Sequence, residues 1–481
     1  MPRRALLVSL LATAALGACT LAPRYERPAL PVAQAWPVAP PTAAAAPGAD
    51  LAWREMFPDP RLRSTIALAL EQNRDLRIAV ANIARARAQY RVQRAELLPG
   101  IDAVGSADRS RTPGSLSPAG SGGVAEQYAV TAGFSAYELD LFGRVRSLSA
   151  AALQSYFATE ENRRAAQIAL IAEVAGDYLT LAADQDLLKI TQDTLASREA
   201  ALELSRKRFA AGATSELDLR QAQTLAEQAR SDAAVAYARV GQDLNALRLV
   251  VGAEVPAALL PDGDLQGVGV LTEIAPGLPS DVLVRRPDVR AAEHALQAQN
   301  ANIGAARAAF FPRISLTGSA GSASPELGQL FGGGTGAWSF APQIVLPLFS
   351  GGANIANLRG AEAGRDAAVA QYEKAVQTAF REVSDALAVR ATIGERLAAQ
   401  QRLVEAAAAA QRLTQARYDR GVDSYLAVLD AQRTLYTARQ TLLAAQLAQR
   451  TNLVELYRAL GGGGEGQPPA RAAFGPSGSP G

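Results

Sequence analysis

The sequence predicts a mostly α-helical chain that also contains membrane β-strands, and three observations lead to this prediction. Of the 481 residues 49% are hydrophobic but only 6% are aromatic, and alanine and leucine dominate the apolar set, which favours long helices. Two short regions, 100–141 and 313–348, instead alternate apolar and polar residues with a period of two, as β-hairpins do. We expect membrane strands there, and two soluble surface hairpins are the alternative. The same order of elements then occurs twice along the chain.

The charge balance and the rarest side chains exclude several classes of function. The 48 basic and 46 acidic residues leave a net charge of +2, so the chain lacks the basic surplus of a nucleic-acid-binding protein. One cysteine and one histidine allow neither a disulfide framework nor a Cys/His zinc site, and they leave little scope for histidine-based catalysis. We therefore expect no catalytic residue, no cofactor and no bound metal.

The N-terminus has the pattern of a bacterial signal peptide. Two arginines precede an apolar stretch at 5–18 that is too short to span a bilayer as a mature helix. It ends in LGAC, which resembles a lipobox, where the cysteine is acylated and the chain is cut before it. We expect Cys19 to be lipidated, although an ordinary buried cysteine is the alternative. In lipoproteins of this type an aspartate after the cysteine favours retention at the inner membrane; Thr20 stands there instead, so the resemblance implies export to the outer membrane.

We divide the chain into a signal peptide, a lipid-anchored tether, two structural repeats and a tail. The tether is rich in alanine and in proline, which fixes the backbone and removes a hydrogen-bond donor, so it should be extended. The tail is rich in glycine and proline and should be disordered. In chain order the five segments are 1–18, 19–50, 51–260, 261–460 and 461–481.

The two repeats are inferred from proline and glycine residues that recur in the same register. Residues 75–105 match residues 288–318, and residues 209–217 match residues 418–426. Each repeat should therefore contain a helix, a hairpin, a long helix, a glycine turn and a second helix. The hairpins are predicted at 100–141 and 313–348, and the turns at 210–214 and 419–423.

The predicted helices are too long for a compact globule, and the predicted strands are too few for a barrel. Residues 144–209 would form a helix of roughly 100 Å at about 1.5 Å per residue, which suits a bundle, a coiled coil or an α-helical tube. No later segment offers about 18 consecutive strongly apolar residues, so we expect no transmembrane helix. Four strands cannot close a barrel in lipid, whereas three copies would supply roughly twelve, enough for a pore.

Five motifs carry a resemblance to a known family. They are LGAC ending at Cys19, YELDLFGRVR at 137–146, VRRPDV at 284–289, PLFSGG at 347–352 and GVDSYLAVLDAQR at 421–433. Together they resemble the OprM/NodT type of outer-membrane efflux channel, a lipoprotein branch of the TolC-like fold, over essentially the whole mature chain. The resemblance implies a TolC-like trimeric channel, in which a twelve-stranded β-barrel with four strands per subunit stands on a twelve-helix periplasmic α-barrel.

The same resemblance implies a function and a set of partners. The chain would be the outer-membrane component of a tripartite efflux system, a passive exit duct rather than an enzyme. Its partners would be two further copies of itself, a periplasmic adaptor, an inner-membrane RND transporter and outer-membrane lipid. It would be lipid-anchored in the bacterial outer membrane with a periplasmic tunnel.

The resemblance also implies a periplasmic gate formed by Leu426, Asp430 and Arg433. These residues lie at i, i+4 and i+7, so they share one helix face just after the glycine turn, at the tip furthest from the barrel. The matching positions in such channels form a leucine plug, an aspartate ring and arginine contacts between helices. An ordinary amphipathic helix with exposed charges is the alternative. The first repeat keeps only the leucine, so we expect the gate to be asymmetric.

Other charged residues have simpler interpretations. The run 285–288, which contains Arg286, should start a helix, because proline and aspartate suit a first helical turn. Glu138 and Asp140 lie where a strand becomes a helix and should stabilise that junction. His294 lies inside a helical pattern without cysteine or histidine neighbours, so we expect it to pack rather than to bind a metal.

Three other functions are weighed against an efflux duct. A TolC-like duct of an ABC-driven type I secretion system would share the fold. A coiled-coil spacer lipoprotein between envelope layers would not need the amphipathic hairpins. An envelope hydrolase would need a nucleophile motif, which the sequence does not offer.

Overall fold

The structure is a computed structural model that describes residues 20–38, 51–113, 115, 122–271, 274–277 and 279–462. The predicted signal peptide, Cys19 and most of the predicted tail lie outside the described residues. The chain divides into two compact units. The first consists of Met1–Ala29, Asn82–Glu160 and Ala291–Glu373, and the second of Leu30–Ala81, Glu161–Arg290 and Lys374–Gly481.

Helices make up most of the described chain, and they alternate with two pairs of strands. The helices are α1 (Trp53–Met56), α2 (Pro60–Gln72), α3 (Arg74–Ala95), α4 (Arg144–Ala210), α5 (Glu216–Val251), α6 (Pro279–Leu283), α7 (Pro287–Ala308), α8 (Ala353–Asp419) and α9 (Tyr425–Ala459). The strands are β1 (Asp102–Thr112), β2 (Gly123–Leu139), β3 (Arg313–Ser324) and β4 (Gly336–Val345). Helices α4 and α8 have 67 residues each, and each is followed by a turn and a second helix of about half its length.

The four strands form one antiparallel sheet in the first unit, in the order β1-β2-β3-β4. The two hairpins are therefore joined side by side through β2 and β3. This junction needs glycine, because a Cβ on Gly133 would lie 2.2 Å from the carbonyl oxygen of Gly318, and one on Gly321 would lie 2.0 Å from that of Val130. Strands β2 and β4 end at Leu139 and Val345, two and three residues short of the predicted hairpin limits.

Two ion pairs stabilise the point where β2 gives way to α4. The Arg144 guanidinium donates to both carboxylate oxygens of Glu138, at 2.9 and 2.8 Å. The Asp140 carboxylate accepts from the backbone N–H of Arg146 at 2.8 Å and from its Nε at 3.1 Å. The first turn of α4 is thus capped by a carboxylate, as suits the positive end of a helix dipole. Both acidic residues have the junction role expected from the sequence.

The core of the second unit packs α1 and α2 against α4, α5 and α9. Its largest fully buried side chains include Trp53, Met56, Phe57, Tyr178 and Tyr457. Helix α4 supplies much of this core. By length and composition it contains an 18-residue window apolar enough to cross a membrane, contrary to the sequence-based expectation, and 56% of that window is buried inside the protein. Its apolar character is therefore explained by core packing.

Arg286 is a buried cation of the second unit that connects the first turn of α7 to α8 and α9. Its side chain is 6% exposed, and its guanidinium donates to Asp288 at 3.0 and 2.7 Å and to Glu382 on α8 at 2.8 Å. Its Nη1 also donates to the carbonyl of Ala459, the last residue of α9, at 2.5 Å. Burial alone would lower the pKa of Arg286, but the hydrogen bonds and charges of the two carboxylates raise it. Helix α7 does begin at Pro287, as predicted, and the arginine before it joins α7 to α8 and α9.

We predict that Arg286→Met destabilises the second unit by about 1.5–3 kcal/mol, because it removes the charge-assisted hydrogen bonds that the buried guanidinium makes to Asp288 and to the partly exposed Glu382. Arg381→Met is the matched control on α8, since Arg381 makes an exposed ion pair with Asp385 at 3.9 Å. Such a pair contributes about 0–1 kcal/mol. Equilibrium unfolding in guanidinium, followed by circular dichroism, measures both losses. Equal losses for the two variants would contradict the role assigned to Arg286.

Candidate functional site: the helix tips of the second unit

Two glycine turns connect the long helices to the helices that follow them. Gly212, between α4 and α5, has φ +71°, and Gly421, between α8 and α9, has φ +75°. A Cβ at either position would meet nothing within 4 Å, so glycine is required there by the left-handed backbone alone. In each turn the residue after the glycine donates its N–H to a carbonyl five residues back, the six-to-one bond of a Schellman motif.

The two turns are stabilised by different side chains. At the first, Ser215 and Asp218 form a capping box, and the Ser215 hydroxyl lowers the pKa of the Asp218 carboxyl. At the second, Arg417 donates twice to the Asp423 carboxylate, both at 2.8 Å, and lowers its pKa. The serine before α9 makes no side-chain cap. The two tips therefore differ in chemistry although their backbones follow the same course.

The three predicted gate residues lie on one exposed face in the first turns of α9. Leu426 is 51% exposed, and the side chains of Asp430 and Arg433 are 62% and 63% exposed. Nη2 of Arg433 donates to Oδ1 of Asp430 at 2.8 Å, an i,i+3 pair within α9. Within one chain the arginine thus pairs with the aspartate of its own helix, whereas the resemblance implies arginine contacts between helices. An exposed pair of this kind contributes about 0.2–1 kcal/mol.

A tyrosine at the second tip contacts the first tip. Nη1 of Arg208 on α4 donates to the hydroxyl of Tyr418 at 2.9 Å, and its guanidinium lies 5.5 Å from the centre of the tyrosine ring. The same ring packs against Tyr425, with 5.3 Å between centroids. Sequence reasoning missed this contact. The available signal was that Phe209 and Tyr418 place an aromatic ring at matching positions before the two glycine turns.

His294 packs in the first unit, as expected. Its Nδ1 lies 2.7 Å from Oε1 of Gln154, and its ring lies 5.5 Å from that of Phe157. In the part of the chain that the structure describes, no group of three or more His, Cys, Asp or Glu side chains could hold a metal ion.

The segment that follows Cys19 runs along α7 in the first unit. The carbonyl of Pro23 accepts from Asn300 at 2.7 Å, and Glu293 accepts from Tyr25 at 3.0 Å and from Arg27 at 2.8 and 2.9 Å. This part of the predicted tether is extended, but it is held to a helix by specific hydrogen bonds. Thr20 lies 3.4 Å from Ser147, in the first turn of α4, so this end of the segment lies close to where β2 gives way to α4.

The family to which the chain belongs follows from comparison with known proteins. The sequence profile described as "Outer membrane efflux protein" matches residues 65–253 and 278–462, well over half of the chain. The chain belongs to the outer membrane efflux protein family. The predicted resemblance is therefore confirmed, together with the outer-membrane location and the role in efflux that define this family.

Individual members of the outer membrane efflux protein family are similar over almost the full length. The toluene efflux pump outer membrane protein TtgC of Pseudomonas putida is 50% identical over 462 residues, which are 95% of each chain. The outer membrane protein OprJ of Pseudomonas aeruginosa is 47% identical over 455 residues, again 95% of each chain. The open state of the MtrE outer membrane channel of Neisseria gonorrhoeae superposes with a TM-score of 0.85 at 42% identity, covering 92% of this chain and 98% of that one. The predicted fold class is confirmed: a TolC-like chain, mostly helical, with a four-stranded sheet.

Proposed function

We propose that this chain is the outer-membrane channel of a tripartite efflux system. It would be a passive exit duct for small molecules, which an inner-membrane RND pump delivers through a periplasmic adaptor. The observation that carries the proposal is the similarity, across 93–95% of the chain, to proteins named as outer membrane proteins of efflux pumps. The same similarity favours efflux over the alternative of an ABC-driven type I secretion duct. Such a duct performs no catalysis, so no enzymatic role is proposed.

The proposed homotrimer rests on the edges of the sheet. Strands β1 and β4 are the edge strands of the described sheet, and each leaves one row of backbone groups unpaired within the chain. Lipid supplies no hydrogen bonds to such groups, so copies of the chain must pair edge to edge. Three copies give roughly twelve strands, enough to surround a pore rather than a packed interior.

Side chains on β4 support contact with outer-membrane lipid. Trp338, Phe340 and Ile344 share one face of the strand and are well exposed in the single chain. Apolar residues alternating along a strand, with aromatic residues among them, are typical of the lipid-facing side of membrane β-barrels.

We predict that the protein purified in detergent has the mass of three chains and forms ion-conducting pores in planar bilayers. The mass follows from edge pairing, and conduction follows from the open interior of a barrel of this size. Light scattering corrected for bound detergent measures the mass, and single-channel recording measures conduction. A stable monomer with its full β-content would contradict the trimer, and a trimer that does not conduct would contradict the duct.

We predict that Cys19 is acylated and anchors the mature N-terminus. Metabolic labelling with palmitate should mark the wild-type protein and leave Cys19→Ser unlabelled, because the thiol is the acceptor. Stable anchoring would need more than one acyl chain on Cys19, since a single acyl chain holds a protein to a membrane only marginally. The variant should still assemble in part, because the closed barrel formed by the copies inserts without the lipid anchor. Equal labelling of the two proteins would rule out this site.

The proposed gate follows from what three copies of the exposed face on α9 would do. Three symmetry-related copies of Asp430 around a narrow axis would form a negative ring that favours cations and repels anions. Arg433 already pairs with Asp430 in each chain, which reduces the repulsion between the three carboxylates. The pairs are exposed and individually weak, so a docking adaptor could open such a closure at a cost of only a few kcal/mol. Leu426, one turn earlier, would be the apolar plug.

We predict that replacing both Asp430 and Arg433 with alanine raises single-channel conductance and weakens cation preference, without lowering trimer yield. Removing both members of the pair leaves neither charge unpaired. The matched control is the double alanine variant of Glu216 and Arg220, an equally exposed i,i+4 pair at the start of α5, 3.2 Å apart. Planar-bilayer recording at several salt concentrations measures both variants. Wild-type conductance in the Asp430/Arg433 variant would place the gate elsewhere.

A further inference from the structure

A polar cavity of about 190 Å³ lies in the second unit, between α4, α8 and α9. Its lining includes two arginines, Arg198 from α4 and Arg439 from α9. Ser197, on the turn of α4 before Arg198, contributes a hydroxyl group, and Gln432 contributes an amide. The hydroxyl of Thr194, also in the lining, donates to the carbonyl of Ile190 at 2.7 Å. The volume is several times the roughly 30 Å³ that one water occupies in the liquid, so a small polyatomic ion and a few waters fit.

Arg198 is buried in this cavity without an acidic partner. It is only 6% exposed, and its Nη1 donates to the neutral side-chain oxygen of Gln432. Among the described residues it makes no ion pair with a carboxylate. Asp193, the acidic residue in the lining, is exposed and does not pair with it. Burial lowers the pKa of Arg198 below its usual value, and the nearby positive charge of Arg433 acts in the same direction.

Arg286, in the same unit, is a buried arginine whose charge is neutralised by carboxylates of the chain. It is as buried as Arg198, but it donates to two carboxylates, and its pKa is raised instead of lowered. A guanidinium cannot lose its charge at physiological pH. Burying that charge is costly unless it is paired and hydrogen-bonded. Arg198 therefore lacks a counter-charge that Arg286 obtains from the chain itself.

We propose that the cavity at Arg198 is a binding site for a small oxyanion, such as inorganic phosphate, taken from solution. The planar fork of an arginine suits two oxygens of a tetrahedral oxyanion. Arg439 provides a second positive charge from the opposite helix, and the hydroxyl of Ser197 provides a further polar contact from α4. The bound anion supplies the counter-charge that no described residue supplies.

The site would connect α4 to the helix that carries the proposed gate. Gln432, which accepts from Arg198, lies between Asp430 and Arg433 in the sequence of α9. An anion held by both Arg198 and Arg439 would bridge the two helices at this level. Because the anion binds only the folded protein, a higher anion concentration should raise the stability of the protein.

The test uses the full-length protein assembled in detergent, with sodium phosphate titrated against sodium chloride at constant ionic strength. Isothermal titration calorimetry and the thermal unfolding midpoint are both recorded. We expect saturable phosphate binding and a rising midpoint for the wild-type protein. Arg198→Gln should weaken phosphate binding at least about tenfold, equivalent to about 1.4 kcal/mol, and Arg439→Gln should weaken it by a smaller factor.

Two controls separate a ligand site from a purely structural role. Arg206→Gln, also on α4, removes an exposed arginine that pairs with Glu203 at 3.6 Å, and it should leave phosphate affinity unchanged. In phosphate-free buffer, Arg198→Gln should be at least as stable as the wild type, because it removes an uncompensated buried charge.

Four results would overturn the proposal. They are no saturable phosphate response in the wild type, equal affinities for wild type and Arg198→Gln, unchanged affinity in Arg439→Gln, and a loss of assembly in Arg198→Gln. A carboxylate from a neighbouring copy filling the cavity would produce the first of these results.

Discussion

The rest of the structure depends on one constraint: in lipid every backbone N–H and C=O group needs a partner within protein. A sheet in the order β1-β2-β3-β4 satisfies its interior strands and leaves its two outer edges open. Closure then has to come from other copies, so the membrane part of the fold cannot be complete in one chain. The helices do not have this requirement, because their backbone bonds are internal. In the proposed trimer, oligomerisation would thus be imposed by the strands, although they are a small fraction of the residues.

The pairing of β2 with β3 was the part of the sheet that periodicity could not predict. Alternation along a strand shows which side chains share a face, and it located both hairpins to within a few residues. It carries no information about pairing between strands that lie far apart in sequence, such as Tyr128 opposite Ser324. That register depends on Gly133 and Gly321, where the facing backbones come too close for any Cβ. Glycines inside a strand were the only available sign of such a close approach.

At the helix tips, too, the sequence predicted which residues share a face but not which side chains contact each other. Helical spacing placed Leu426, Asp430 and Arg433 on one face correctly, because the face follows from position alone. It could not show that Arg433 pairs within its own helix, or that Arg208 reaches Tyr418. Such contacts depend on how two helices are turned toward each other, and alanine-rich helices with weak amphipathicity leave that rotation undetermined. The division into two repeats stays a prediction, supported by the repeated order of elements and by a family match in two segments.

The two buried arginines of the second unit, Arg286 and Arg198, have their charges compensated in different ways. Arg286 lies where three helices meet, and the chain there supplies Asp288 and Glu382, so the charge is neutralised and the helices are joined. Arg198 lies on α4 where it faces α8 and α9, and the residues that these helices bring to it include Gln411 and Gln432 but no carboxylate that pairs with it among the described residues. An aspartate or glutamate in place of Gln432 would neutralise Arg198 permanently. It would also put a third charged residue in the same turn of α9 as Asp430 and Arg433, where it would compete for Arg433. A neutral residue at that position keeps the exposed pair intact, and the buried charge is then left to be matched from solution.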